Sequence, residues 1–263
     1  MKIIPTKVIK KFVISVYLRC MARKKYLLLM AGGSGTRMGA AVPKQFLDLD
    51  GKAVLHRTLD RFMEAEPGIR VITVLPEAYF EYWKNYCAVR NVVARQTVVR
   101  GGISRFHSVR NALGAVPDGA LVAVHDGARP LLSAGLVSRM FRQAEHVPAL
   151  IPVIPSTDTL RALRREVLTD GTEVFETVPD MHPDRNMLFR VQTPQIFYSE
   201  VLKAAYGQPY DMSFTDDASV AERFGVPLAF ISGEALNIKI TTPEDFMLAQ
   251  KILPAQRFPM QEK

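Results

Sequence analysis

Two cysteines in 263 residues, Cys20 and Cys87, are too few and too far apart for a disulfide framework, a zinc cluster or a redox pair. Such usage points to a reducing compartment, by default the cytoplasm. Long apolar runs are missing as well: Phe12 to Leu18 follows Lys10 and Lys11 as in a signal peptide, but it is far shorter than the roughly 20 residues that span a bilayer. No small-residue cleavage site follows it, and Arg19 before Cys20 spoils a lipoprotein reading, so no stable membrane association is expected. Glycine and proline, 16 and 17 residues, are too sparse for a collagen or a low-complexity chain. What remains is ordinary globular composition, 48% hydrophobic and 23% charged, without an internal repeat. The length suits one large α/β domain or two small ones.

Acidic residues are absent from the first 25 positions, which hold eight basic ones. They account for the whole formal charge of +8, because the other 26 basic residues are matched by 26 acidic ones. A neutral body argues against a nucleic-acid-binding surface. Residues 1–25 therefore read as a basic leader outside the fold, with Met21 as the natural start. The folded domain is expected over 26–252, with a tail over 253–263 and no second catalytic domain.

Tyr26 to Met30 is a continuous apolar run that ends in a glycine-rich loop, the pattern of a strand buried on both faces of a parallel sheet. Strands and helices then alternate. Helices are expected at Val54–Met63, Glu77–Cys87, Ile103–Val116, Leu136–Glu145, Ser199–Tyr206, Asp216–Phe224 and Pro243–Ile252. Strands are expected at Arg70–Leu75, Ala120–Val124, Leu150–Ile154 and Pro227–Ile231, with Val92–Val99 extended. This order predicts a doubly wound, mainly parallel sheet. The rhythm breaks over about 156–186, where the charged pieces Thr159-Leu160 and Glu173–Val178 flank the Asp170-Gly171 turn. A β-hairpin arm projecting from the sheet is expected there.

Two familiar phosphate-binding patterns are also lacking. No Gly-Lys-Ser/Thr ends a Walker spacer, and a dinucleotide fingerprint starting at Gly33 and Gly35 meets Met38 where it needs glycine. The loop itself, Met30-Ala-Gly-Gly-Ser-Gly-Thr-Arg-Met-Gly39, lets backbone amides approach an anion closely. Arg37 and Lys44 supply cations inside or just beyond it, as a nucleoside triphosphate requires. The second candidate is Val124-His-Asp-Gly-Ala-Arg-Pro130, at the carboxyl end of a buried strand, where ligands of open α/β sheets bind. Asp126 there is suited either to bind magnesium or to accept substrate hydroxyls, and Arg129 to hold phosphate; His125 reads as a packing residue.

Taken with Gly101-Gly102, Arg105, Ser108-Val109, Thr193-Pro-Gln-Ile-Phe197, Thr215-Asp-Asp-Ala-Ser219 and Asn237-Ile-Lys-Ile-Thr-Thr-Pro-Glu-Asp245, these blocks resemble the 2-C-methyl-D-erythritol 4-phosphate cytidylyltransferases, in order from residue 26 to about 252. The resemblance implies a Rossmann-like sheet of the nucleotide-diphospho-sugar transferase type, CMP transfer from CTP in non-mevalonate isoprenoid synthesis, Mg2+ bound mainly with the CTP phosphates, and a homodimer that exchanges its arms. It implies that Ala31, Gly32, Gly33, Ser34, Gly35, Gly102 and Ser108 hold the nucleotide. Arg37, Lys44 and Lys239 would stabilise the reacting phosphates. Asp126, Arg129, Thr159 and Arg185 would meet the polyol phosphate, the last two from the partner's arm. Ile103 and Gly127 depart from the commoner residues of that family. A ribitol 5-phosphate cytidylyltransferase shares nearly all these motifs, but Asp184-Arg185-Asn186 resembles the methylerythritol group more. A non-catalytic nucleotide-binding protein would not need Arg37, Lys44 and Lys239 together.

Overall fold

Strand β1 (Lys24–Met30) lies inside a mixed sheet, and its leucines alternate between two cores: Leu28 faces one cluster, Leu27 and Leu29 the other, all fully buried. A strand covered on both faces needs this continuous apolar run. The chain is seen here as a computed structural model that describes residues 23–33, 42–179 and 184–257. Parallel to β1 run β4 (Arg70–Leu75) on one side and β6 (Ala120–Asp126) on the other, with β5 (Gln96–Arg100) beyond β4.

Past β6 the direction changes. Strand β11 (Gln195–Tyr198) inserts antiparallel between β6 and β7 (Ala149–Pro155). Strand β10 (Phe189–Val191) continues along the same edge of β7, while β12 (Ala229–Ser232) pairs parallel with the opposite edge. Between β10 and β11, Gln192-Thr193-Pro194 interrupts the edge, with a cis Thr193–Pro194 peptide. The chain thus leaves β6 beside its carboxyl end, which opens a crevice beyond Asp126.

Helices α1 (Val54–Ala65), α2 (Phe80–Val89) and α4 (Ala134–Ala144) cover one face; α3 (Arg105–Leu113), α5 (Ser199–Ala205) and α6 (Asp217–Arg223) cover the other. In α1, buried Leu55, Leu59 and Phe62 recur at helical spacing, each fully buried side chain of this kind contributing about 1.5–3 kcal/mol. A third cluster joins α7 (Pro243–Arg257) to Leu49, Val54 and Leu131. Leu49 belongs to a small hairpin, β2 (Asp48–Leu49) and β3 (Lys52–Ala53), that leads into α1.

The structure differs from the sequence reading at both ends of the domain and in the arm. Lys24 and Lys25 belong to β1, and Arg23 pairs with Glu200 at 2.8 Å and Lys25 with Glu66 at 2.7 Å. Their acidic partners are distant in sequence, so the local charge imbalance hid them. At the other end α7 runs past Ile252 to Arg257, and buried Leu253 anchors it to the third cluster. The arm is a hairpin as expected, but its first strand is β8 (Leu163–Val167), paired antiparallel with β9 (Glu173–Thr177), not Thr159-Leu160. All of β8 is exposed, so neither face demanded apolar residues and no alternation marked it. The proposed start at Met21 and the rest of the leader lie outside the described residues. Among the described residues no helix is long and apolar enough to cross a membrane.

Candidate active site

Register brings the two sequence motifs together. Met30, the last residue of β1, pairs with Asp126 at the end of β6, and the Gly127 amide donates to the Met30 carbonyl at 2.8 Å. On the other side, Gly101 donates to the Leu75 carbonyl at 2.9 Å, which brings the turn into α3 to the same sheet edge. A cavity of about 520 Å³ opens between these loops, lined by Ala31, Gly32, Gly33, Lys44, Gly102 and Ser108 and closed at its floor by Asp126, Arg105 and Lys239.

Two expected amide donors of this cavity serve its shape. The Ala31 N–H donates to the Val74 carbonyl, and its own carbonyl accepts from the Gln45 amide at 2.9 Å. The Gly102 N–H donates to the Ser108 hydroxyl, which in turn donates to the Ser104 carbonyl. Gly102 is required sterically, since a Cβ there would stand 2.4 Å from the Cβ of His107. A Cβ at Gly127 would lie 2.7 Å from a Leu55 methyl, so glycine at this departure from the family pattern is matched to the packing of α1.

Asp126 is the centre of charge. Arg105 donates to its Oδ1 at 2.7 Å; Arg129 donates to Oδ2 at 3.1 Å, and the Lys239 ammonium lies 3.1 Å from the same oxygen. Burial would raise this carboxyl's pKa, but the charges of Arg105, Lys239 and Arg129 outweigh it and hold the group well below the usual carboxylate range. Arg129 also donates to the Asn237 carbonyl at 2.8 Å, and Ile240 N–H donates to the Ala128 carbonyl, which docks the segment carrying Lys239 against the strand end.

His125 is fully buried, with Nδ1 3.0 Å from the Thr193 hydroxyl. Burial pushes its pKa down to about 3 against the attraction of Asp126, so it stays neutral and unsuited to general-base work at neutral pH. The packing role expected for it matches this environment.

A second cavity, about 490 Å³, lies on the other side of the cluster, against the break in the β10–β11 edge, and is lined by Arg129, Gln192, Thr193, Gln195, Thr215 and Ser219. Among the described residues, only Arg105, Asp126 and Lys239 line both cavities. The described chain therefore offers a glycine-lined chamber and a polar chamber that meet at one carboxylate and its cations.

Of the expected site residues, Ala31, Gly32, Gly33, Lys44, Gly102, Ser108, Asp126, Arg129 and Lys239 come together here. Ser34, Gly35 and Arg37 lie outside the described residues. Thr159 and Arg185 are exposed and line neither cavity. The sequence reading missed the depth of the network behind Arg105: its second nitrogen donates to Asp217 at 2.7 Å, and fully buried Asp217 accepts from the Tyr206 hydroxyl at 2.6 Å. The only local signals were the Gly101-Gly102…Arg105 and Thr215–Ser219 blocks, whose partners are 112 residues apart.

Residues 26–255 match the family of 2-C-methyl-D-erythritol 4-phosphate cytidylyltransferases. The protein of that name from Porphyromonas gingivalis is 47% identical over 234 residues, covering 89% of this chain and 99% of the relative. Its counterpart in Phocaeicola vulgatus is 41% identical, covering 87% and 99%. Among solved structures, 4-diphosphocytidyl-2C-methyl-D-erythritol synthase from Anaerococcus prevotii superposes with a TM-score of 0.71 at 26% identity, covering 89% of this chain and all of the other. The cytidylyltransferase of Thermus thermophilus gives 0.65 at 31% identity, covering 88% and 99%.

Proposed function

This chain belongs to the 2-C-methyl-D-erythritol 4-phosphate cytidylyltransferase family, and on that premise we propose how its residues divide the transfer of CMP from CTP to 2-C-methyl-D-erythritol 4-phosphate in isoprenoid biosynthesis. The glycine-lined chamber takes CTP, and the polar chamber takes the acceptor. The observation that carries this reading is the single shared wall: a reaction between two phosphates needs both chambers to open on the same charged cluster, as they do where the cations Arg105 and Lys239 flank the Asp126 carboxylate.

An acceptor phosphate oxygen attacks the α-phosphorus of CTP in line. The bond from that phosphorus to the α,β-bridging oxygen breaks, its electron pair leaves with pyrophosphate, and a cytidine diphosphate alcohol forms. The attacking phosphate is already largely ionised at neutral pH, so no side-chain base is needed. The protein's work is to align the groups and offset their charge, which suits Lys44, Lys239 and Arg37. Arg129 and Asp126 face the acceptor side. Asp126 has both oxygens engaged by three cations of its own chain, so its charge is already balanced within the cluster. We therefore assign Mg2+ to the triphosphate, as part of the substrate.

Thr159 and Arg185, which line neither cavity of their own chain, are supplied to the acceptor by a second copy. Exposed Leu163, Val167, Phe175, Met187 and Phe189 on and beside the arm support such a partner. The scarcity of cysteine, with Cys87 free, supports a cytoplasmic setting. The test offers CTP and Mg2+ with methylerythritol phosphate or ribitol phosphate and follows pyrophosphate release. Faster release with methylerythritol phosphate is expected; faster release with ribitol phosphate would move the assignment to that acceptor and leave the chemistry standing.

A further inference from the structure

We propose that Arg105 is a positioning residue for this transfer, held by the buried Asp217–Tyr206 pair so that it fixes the Asp126 carboxylate between the two chambers. The inference rests on the roles proposed above and extends them from Arg105, which stands in the shared wall, to Asp217 and Tyr206, which those roles leave unused. Arg105 enters at the first turn of α3, behind the Ser104 cap, and its guanidinium bridges Asp126 and Asp217 at 2.7 Å each. A planar fork can hold two carboxylates at a fixed separation, which a lysine cannot.

Asp217 is itself fixed from several directions. Its other oxygen accepts from Tyr206, itself almost wholly buried. The turn before it is clamped by Gln195, whose amide donates to Asp216 at 2.7 Å and whose oxygen accepts from the Ala218 N–H at 2.8 Å. The Asp216–Ser219 capping box completes the clamp. The Thr193-Pro194-Gln195 and Thr215–Ser219 blocks thus form one scaffold whose output is the position of Arg105. Through Arg105 it sets where Asp126 stands relative to Arg129 and Lys239. A buried charge so thoroughly anchored is more than stability alone requires, because apolar side chains of similar volume pack as well or better.

The test uses the full chain with CTP, Mg2+ and methylerythritol phosphate. Kinetics, CTP binding and thermal unfolding are compared for Asp217→Asn, Arg105→Met and the double variant Arg105→Met/Asp217→Leu. Asp217→Asn keeps the Arg105 charge but loosens its hold, and should lower kcat by between about tenfold and a hundredfold, the loss produced by small misplacement of reacting groups. CTP affinity should change little, since Lys44 and the glycine loop are intact. The double variant replaces a buried ion pair by apolar contact and should regain thermal stability while remaining as slow as Arg105→Met. If activity returned together with stability, the network would be structural and the proposal overturned. Unchanged kcat in Asp217→Asn would overturn it as well, leaving Arg105 at most a direct electrostatic contact. Should Asp217→Asn fail to fold, Tyr206→Phe, which removes one hydrogen bond from Asp217, gives the same split in milder form. A wild-type protein that released no pyrophosphate under these conditions would defeat the functional assignment instead.

Discussion

The Asp126 cluster is neutralised within the chain, whereas the arm leaves Arg185 and several apolar side chains exposed. Asp126 sets both oxygens against three cations of its own chain and is almost wholly buried. The arm leaves Arg185 and Thr159 exposed, together with apolar Leu163, Phe175 and Phe189. On the proposed division of the site, the half held by the Asp126 cluster belongs to one subunit and the half held by the arm is supplied by a second copy. The nucleotide half should therefore respond to substitution as a property of one subunit, and the acceptor half as a property of two.

The largest effect is expected at the nucleotide chamber. Lys44→Ala removes a cation from its wall, and kcat should fall by on the order of a hundredfold or more, as for loss of one preorganised electrostatic donor, with CTP affinity much less affected. Weaker CTP binding with kcat unchanged would assign Lys44 to ground-state binding instead. Next comes Arg185→Ala on the arm, which should raise the KM for the acceptor phosphate and leave CTP affinity alone. An unchanged acceptor KM would remove that arginine from the site and sharpen the contrast in favour of the cluster.

Stability should also separate the two regions. His125 sits beneath Asp126 with a folded pKa of about 3, below the 6.5 of an exposed imidazole, so the unfolded chain binds a proton that the folded one excludes. Its contribution is fully present above pH 6.5 and is lost progressively on acidification, by up to about 1.4 kcal/mol per pH unit. Between pH 6.5 and 4.5, before the carboxylates titrate, the melting temperature of wild type should fall with falling pH. His125→Asn should flatten that part of the curve, while substitutions in the exposed arm should not. The smallest effect is expected at the start of the chain: beginning at Met21 keeps the Arg23–Glu200 and Lys25–Glu66 pairs and should leave turnover and melting temperature nearly unchanged. Loss of folding, or of a reproducible membrane association, would give the leader a role.

How legible each region was follows from the same contrast. Buried strands announced themselves through runs such as Tyr26–Met30 and Ala120–Val124, because covering both faces leaves no place for polar residues. Asp126, Arg129, Lys44 and Lys239 were readable because each stands in a short block beside a strand end or a turn. Strand β8 lies away from the expected Thr159-Leu160 because exposure on both faces removes the period-two signal, and β10 is not anticipated at all because three residues before a Gln-Thr-Pro break carry too little pattern. The Arg105–Asp217 pairing had no local trace: it is made by β11 inserting antiparallel and by Gln195 clamping the turn into α6, a tertiary arrangement that the order of elements does not dictate.

The most direct measurement mixes two impaired proteins, at an acceptor concentration far below the raised KM of Arg185→Ala. Lys44→Ala carries an intact arm and Arg185→Ala an intact nucleotide chamber, so a site built from two copies becomes whole at one of the two sites in a mixed dimer, about a quarter of all sites at equal mixing. Under conditions that let subunits exchange, the mixture should release pyrophosphate from CTP and methylerythritol phosphate at a rate well above either variant alone. A mixture no faster than its components, with exchange demonstrated, would mean that each arm serves its own subunit and would contradict the account.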